Sequence, residues 1–516
     1  MAKSHLLRST LVVSSMTMLS RILGLVRDVV LMSVFGAGGL MDAFLVAFKI
    51  PNFLRRLFAE GAFSQAFVPV LTEYKEQKTF NEIQLLIAHV SGVLGLILLV
   101  LTVAVLAFAP SVIQLFAPGF VDDPAKFNTA TELLYLTFPY LFFISITAFF
   151  GSILQSYGKF APPAFAPVLL NISMIIAAWC IAPLLNKSIM ALGYAVAVAG
   201  VLQLMIQLPD LYRKKLLVAP SIDFKHEGVR RILTLMLPAI FGVSVTQINL
   251  LLNTIFASKM ANGSVSWLYS AERLSELPLG LIGVAIGTVI LPSLSASLAK
   301  ADMTEFGKTL DWAMHLVIVI GLPASLAMFA LSDVLMNALF VRGEFTPTDG
   351  DMAGLALRCL SGGILGFMLI KVFAPAFFAS QDTKTPVKIG IVSVFANMLF
   401  SVVFIGIFYL ARLPLHGGLA LATTGASFVN AGLLYYFLQK RNIWRFGKHW
   451  YKMGMQFVTA TLAMTVSLYA MLPYYPQDGS AWAKLTVLIA ICVVGATVYG
   501  VVLLASGFRP KQLRHG

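Results

Sequence analysis

The chain has 516 residues, of which 59% are hydrophobic and only 12% charged. That is about half of the roughly 25% charged residues of a globular domain, so water is not the main solvent of this surface. At roughly 20 apolar residues per membrane-crossing helix the apolar content has room for about 15 spans, which excludes a soluble multidomain enzyme. Lys and Arg number 37 against 23 Asp and Glu, a net charge of +14. In a soluble protein this would point to nucleic acid; here the distribution of the charge decides, and no nucleic-acid partner is expected. Cys180, Cys359 and Cys492 lie inside apolar runs, where cysteine packs as a small hydrophobe, so neither a disulfide framework nor a Cys-ligated metal site is expected.

In chain order, fourteen candidate spans follow. They run from Leu11 to Phe35, Ala43 to Val70, Leu85 to Phe108, Leu133 to Leu154, Phe165 to Ile181, Met190 to Leu208 and Ile232 to Phe256. The remainder are Val265 to Leu294, Met314 to Leu331, Met352 to Phe378, Val387 to Tyr409, Gly417 to Leu438, Met453 to Leu472 and Trp482 to Ala505. Lys3 and Arg8 before the first apolar run imitate a signal peptide, but Arg21 breaks the run and no small-residue cleavage site follows, so a retained first helix is expected. With fourteen spans both termini share a side. Loop Lys and Arg number 23 on that side, among them Arg213, Lys214, Lys215, Lys440, Arg441 and Arg445, against five on the other: Lys126, Lys187, Lys259, Arg342 and Arg412. The excess of positive charge marks the cytoplasm, so both termini are expected there.

The chain also repeats itself. "GAFSQAFVPVL" with Pro69 matches "VAIGTVILPSL" with Pro292, 223 positions later. "LQSYGKFAPP" with Lys159 precedes a helix with Asn171, and "ASQDTKTPVK" with Lys384 precedes one with Asn397, at offsets of 225 and 226. "GYAVAVAGVLQ", ending at Gln203, matches "ALATTGASFVN", ending at Asn430, at 227. Six helices per copy keep the same orientation in both, which predicts two six-helix lobes in parallel repeat, with a substrate expected in the cleft between them. The expected division is an N-lobe with its connecting inner loop over 1–231, a C-lobe over 232–440, and two additional helices over 441–516.

Nine basic residues lie within or at the edges of spans: Arg21, Arg27, Lys49, Arg55, Arg56, Arg273, Arg358, Lys371 and Lys484. An Arg or Lys at the bilayer centre costs at least about 2.5–3.5 kcal/mol, so such groups persist where they face protein or a hydrated hollow. On a helical wheel of the first span Ser14, Thr17, Ser20, Arg21, Gly24, Arg27 and Asp28 share one arc of about 140°, and that arc should line something wet. In the second span Asp42, Lys49, Asn52, Arg56 and Glu60 share a stripe; Arg55 points off it, but Pro51 is expected to break the helix just before this point, so a straight wheel cannot choose between Arg55 and Arg56. Tyr269, Arg273 and Glu276 share a face of the eighth span. The competing reading makes these charges helix-tying ion pairs, such as Arg21 with Asp28 or Arg273 with Glu276, or side chains that snorkel to an interface. Against it, basic groups outnumber acids 6 to 5 on spans one, two and eight, and guanidinium forks match phosphate oxygens. The offset counterparts of Arg21 and Arg27 are Ser244 and Leu250, so the charge is lopsided towards the first lobe. There is no G-x-S-x-G, H-E-x-x-H or Walker loop, and His89 and His315 read as structural, so neither catalysis nor a metal or other cofactor is expected. Asp42, Lys49, Glu60 and Glu276 are the candidates for gating or ion coupling.

The strings "SSMTMLSRILGLVRD", "DAFLVAFKIPNFLRRLFAEGAFSQAFVP" and "GSVSWLYSAERLSELPLGLIGVAIGTVILPSLS" resemble the MurJ (MviN) family of lipid II flippases, within the multidrug/oligosaccharidyl-lipid/polysaccharide exporter superfamily. The resemblance runs over essentially the whole chain. It implies an all-α integral membrane protein with 14 transmembrane helices, a MATE-like pair of six-helix lobes around a cationic cavity, and a groove involving the two extra C-terminal helices for a polyprenyl tail. The implied substrate is the undecaprenyl-diphosphate-linked peptidoglycan precursor, moved from the inner to the outer leaflet of the bacterial cytoplasmic membrane by alternating access. Partners would be this lipid, the surrounding membrane lipids and the cell-wall synthesis machinery. The family's cavity arginines match Arg21, Arg27, Arg55 and Arg273, so the resemblance selects Arg55 over Arg56; Asp42, Lys49 and Glu276 match charged family positions. Thr17, Ser20, Gly24, Asp28, Asn52 and Arg56 are the expected further lining residues. The seventh and eleventh spans lack Asp and Glu, where some members carry sodium ligands. Three other readings stay open. A drug/cation antiporter of the superfamily would be distinguished by transport of a cationic dye, a flippase for another lipid-linked oligosaccharide by substrate competition, and a membrane-embedded glycosyltransferase by product turnover.

Overall fold

The computed structural model describes residues 2–57, 63–285, 290–447 and 449–509. The fold is all-helical, 84% helix, and the described residues contain no strand. Two compact units divide the chain: residues 1–266 with 343–345, and 267–342 with 346–516.

The first unit contains α1 (Ala2–Phe35), α2 (Gly39–Arg55), α3 (Ser64–Gln77), α4 (Phe80–Ala107), α5 (Pro124–Ser156), α6 (Ala161–Leu184), α7 (Met190–Arg213) and α8 (Glu227–Ser258). Local chemistry sets several boundaries. Thr79 and Glu82 form a reciprocal capping box at the start of α4, and Asp123 caps α5 ahead of Pro124. α1 packs on α6, α2 on the first half of α5, and α8 on α3 and α4. Phe63, Phe67, Leu86, Phe149, Ile153 and Val229 form a core joining α3, α4, α5 and α8. This packing places α8, which the repeat assigns to the second lobe, with the first unit.

The second unit continues from α9 (Ser264–Ala285), whose first turn belongs to the first unit, through α10 (Leu291–Ala299), α11 (Met303–Ala330), α12 (Ser332–Leu339) and α13 (Pro347–Ala379). It ends with α14 (Lys384–Leu410), α15 (Leu415–Lys440), α16 (His449–Tyr474) and α17 (Ala481–Ala505). Asp302 caps α11, Thr346 and Asp349 form a capping box on α13, and Ser480 caps α17. Phe306, Met314, Phe373, Phe377, Trp444, Trp450 and Phe457 share one core, so the additional helix α16 is packed into this unit through α11.

Among the described residues, ten helices are long and apolar enough to cross a membrane: α4, α5, α6, α7, α11, α13, α14, α15, α16 and α17. The stretches α1, α2 with α3, α8, and α9 with α10 stand outside those ten. α1 carries Arg21, Arg27 and Asp28 in its body, and α9 carries Glu272, Arg273 and Glu276.

Pro51 does not break the helix before it, contrary to expectation: α2 runs through it to Arg55 and passes into a π-type turn at 56–57. The proline deprives the Ala47 carbonyl of its partner, and the Thr137 hydroxyl donates to that carbonyl at 3.3 Å. The released acceptor is satisfied from a neighbouring helix, so the helical path continues.

Candidate functional site

The arc predicted on α1 divides in two. Arg27 is 7% exposed and Asp28 1%, a depth at which charge survives only when paired and hydrogen-bonded. The Arg27 guanidinium donates through Nε and Nη2 to Asp28 Oδ1 at 2.9 and 2.7 Å, and through Nη1 to Asn171 Oδ1 at 3.0 Å. Asn171 in turn donates from Nδ2 to the Ser20 carbonyl at 3.0 Å. Gly24, between these levels, is buried. Asn171 therefore ties α6 to two turns of α1 and fixes the plane of the guanidinium. Thr17 and Arg21 lie on the exposed part of the same arc. The partner of Asp28 is Arg27 rather than Arg21.

On α2, Arg55 is half-buried and its Nε donates to Asn52 Oδ1 at 3.3 Å, while Asn52 Nδ2 donates to the Phe48 carbonyl at 2.8 Å. Arg56 is exposed and Lys49 half-buried. Glu60 lies outside the described residues. On α9, Arg273 is half-buried and donates to Glu276 Oε2 at 3.0 Å; Glu276 is largely exposed. The Arg273–Glu276 pair named by the competing reading is therefore present.

Asp42 belongs to a cluster that the sequence did not announce. It is fully buried at the start of α2. Its Oδ2 accepts from Lys126 Nζ at 3.0 Å and from the Gly263 N–H at 2.8 Å; its Oδ1 accepts from the Ser266 N–H at 2.9 Å and the Ser266 hydroxyl at 2.7 Å. A carboxylate from α2 thus caps the N-terminus of α9, where backbone donors and the helix dipole favour an anion. Lys126 is 5% exposed, also donates to Asn262 Oδ1 at 2.9 Å, and stands 4.1 Å from the centre of the Phe120 ring. Counted from the sequence as a loop cation, it is a buried counter-charge. The only linear signal for it was its place after the Asp123–Pro124 helix start.

A turn docks nearby in sequence terms on the end of α1. The Glu344 N–H donates to the Ser33 carbonyl at 2.8 Å, and Lys187 pairs with Glu344 at 2.6 Å. Gly343 there has φ +60°, and a Cβ on it would fall 2.1 Å from the Ser33 oxygen, so only glycine fits.

Ten helices long and apolar enough to cross a membrane, among the described residues, mark a multi-pass membrane protein. The comparisons with known proteins narrow the class. The family profile described as lipid II flippase MurJ matches residues 31–490. A probable lipid II flippase MurJ of Vibrio cholerae is 43% identical, covering 99% of this chain and 98% of its own length. A lipid II flippase MurJ of Burkholderia cenocepacia is 39% identical with 99% of each covered. Among solved structures, a lipid II flippase MurJ in an inward closed conformation matches with a TM-score of 0.78 at 25% identity, over 95% of this chain and 98% of that one. An inward-facing multidrug resistance MATE family transporter of the MOP superfamily matches with a TM-score of 0.65 at 18% identity, over 84% and 97%. The chain belongs to the lipid II flippase MurJ family.

Proposed function

We propose that this protein carries the undecaprenyl-diphosphate-linked peptidoglycan precursor from the inner to the outer leaflet of the bacterial cytoplasmic membrane by alternating access, and that it is a transporter, not an enzyme. In this reading fourteen spans place both termini in the cytoplasm, the lobes are those of 1–231 and 232–440, and the helices of 441–516 serve the lipid tail. Arg21, Arg27, Arg55 and Arg273 receive the diphosphate; Asp42, Lys49 and Glu276 act in gating or coupling, with Glu60 as a further candidate. The observation that carries the reading is where these arginines sit: on α1, α2 and α9, the stretches outside the ten strongly apolar helices, with the guanidinium groups of Arg27, Arg55 and Arg273 oriented by neighbours.

The geometry adds a mechanism. Arg27 rests on Asp28, and Arg273 on Glu276, so each guanidinium is neutralised at rest. An arriving diphosphate competes with those carboxylates, offering more acceptor oxygens to the same donors. Outward movement of a diphosphate across an inside-negative membrane is favoured by about 2.3 kcal/mol per charge per 100 mV, and the absence of Asp and Glu from 232–256 and 387–409 directs the energetics to the potential rather than to an acidic sodium site. The test is depletion in cells with a leaflet-resolved assay: precursor should accumulate in the inner leaflet. Wild-type export should be lost in Arg27→Ala and Arg273→Ala chains that still insert. Unimpaired export by both variants would overturn the assignment, and flipping unaffected by collapse of the potential would remove the energetic part.

A further inference from the structure

A second constellation lies in the second unit, away from every residue assigned above. Asp311 and His315 stand one turn apart on the same face of α11, and His449 opens α16; one ligand atom from each lies within 4.8 Å of the others. His449 Nε2 is 2.9 Å from Asp311 Oδ2, and the Trp450 indole N–H donates to Asp311 Oδ1 at 2.8 Å. The His315 ring stacks on Trp450 with centroids 4.3 Å apart and planes 18° from parallel. A single buried indole thereby orients two of the three groups. His315 Nε2 is itself buried and has no hydrogen-bond partner, whereas buried polar atoms in folded proteins are almost always satisfied.

The first unit holds a second histidine pair, the rings of His89 and His226, with centroids 5.0 Å apart. The contrast lies in the acid: among the described residues only Asp311, His315 and His449 bring three such donor groups together, and the second oxygen of that carboxylate is held by an N–H.

Two imidazoles and one carboxylate form a donor set for first-row divalent transition metals, and the indole N–H on the remaining carboxylate oxygen is the outer contact that orients such a ligand. Metal–donor bonds of about 2.0–2.2 Å in a tetrahedral centre put donors roughly 3.3–3.5 Å apart. His449 is exposed at a helix start, and its Nε2 already lies 2.9 Å from Asp311 Oδ2. We propose that Asp311, His315 and His449 bind a divalent transition-metal ion, zinc fitting the set best, with the fourth position left to water. The bound ion clamps the first turn of α16 to α11.

The test uses the full-length, tag-free protein in detergent, titrated with Zn2+ alone and followed by calorimetry and by thermal unfolding before and after EDTA. The expected result is a single tight zinc per chain and a rise in unfolding temperature that EDTA abolishes. Both should disappear in His449→Gln, whose exposed side chain adds little to the core, and in His315→Gln, and both should persist in His89→Gln. Trp450→Phe should weaken affinity by about 10- to 100-fold. Co2+ in place of Zn2+ should give visible d–d bands that the Asp311→Asn variant lacks. Absence of tight zinc binding by the parent chain overturns the proposal, as does unchanged binding by an Asp311→Asn/His449→Gln chain. Loss in His89→Gln with retention in His449→Gln would also overturn it, because the ion would then sit on the other histidine pair.

Discussion

Replacing Asp42 should reveal the charge balance at the head of α9. In the native chain its carboxylate is fully buried and accepts from four donors, one of them the Lys126 ammonium at 3.0 Å. Asp42→Leu leaves a lysine that is 5% exposed without its counter-charge, together with three neutral donors without their acceptor. Removing one member of a buried ion pair costs about 3–5 kcal/mol. Lys126→Met should cost less, because Asp42 keeps the Gly263 and Ser266 donors and the dipole of α9. The Asp42→Leu/Lys126→Met chain should then recover about 2–3 kcal/mol relative to the sum of the single changes. Asp42→Asn keeps the shape and one acceptor but not the charge, and should retain most of the loss. The assay is denaturant or thermal unfolding of the full-length protein in one detergent, run as a complete double-mutant cycle. Single-variant losses below about 1 kcal/mol, or additivity within about 0.3–0.5 kcal/mol, would refute the claim that a buried charge pair fixes this helix start.

Three further outcomes follow from the geometry. Arg27→Lys should insert normally yet lose most export in a leaflet assay, because one ammonium cannot reach Asp28 and Asn171 with the fixed fork of the guanidinium. Gly343→Ala should lower stability by at least about 1–2 kcal/mol, measured by thermal unfolding, since φ is +60° and the new methyl group would meet the Ser33 carbonyl. In the 380–383 turn, burial alone would raise the Asp382 pKa, but hydrogen bonds from Thr385 and Arg441 outweigh it and hold it at about 2. Because the folded value lies below the unfolded carboxylate value of about 3.9, its contribution is complete above pH 4 or so and is lost as pH falls towards about 2. Asp382→Asn should flatten that acid branch of an unfolding-against-pH profile, and an unchanged branch would remove the turn from the account.

Much of the membrane architecture was legible because the bilayer leaves few options. Long apolar runs became helices, and cap residues such as Thr79, Asp302, Thr346 and Ser480 set their starts. Charges within spans were also visible as anomalies. Their partners were not. A wheel of α1 ranks Arg21 and Arg27 alike, but the amide that separates them, Asn171, is 144 residues from Arg27 along the chain. Pro51 looked like a break because the wheel contains no Thr137 to take up the freed carbonyl. Lys126 looked like a loop cation because nothing local records Asp42, 84 positions earlier. Periodicity reports which face a residue occupies; which acceptor waits on that face is a property of the tertiary fold.

The offset read from the sequence repeat pairs charged positions with neutral ones. At the counterparts of Arg21 and Arg27 stand Ser244, whose hydroxyl bonds the Ile240 carbonyl of its own helix at 2.6 Å, and Leu250. A serine satisfied by its own helix needs no partner from elsewhere, whereas an arginine in the membrane requires acceptors and so recruits Asp28 and Asn171. Asp311, likewise, faces His449 through one carboxylate oxygen and accepts the Trp450 N–H on the other. Arg27 and Asp311 each appear together with a hydrogen-bonding neighbour that orients them. Charge and orienting partner occur together at both places, because either alone costs free energy in a low-dielectric surround.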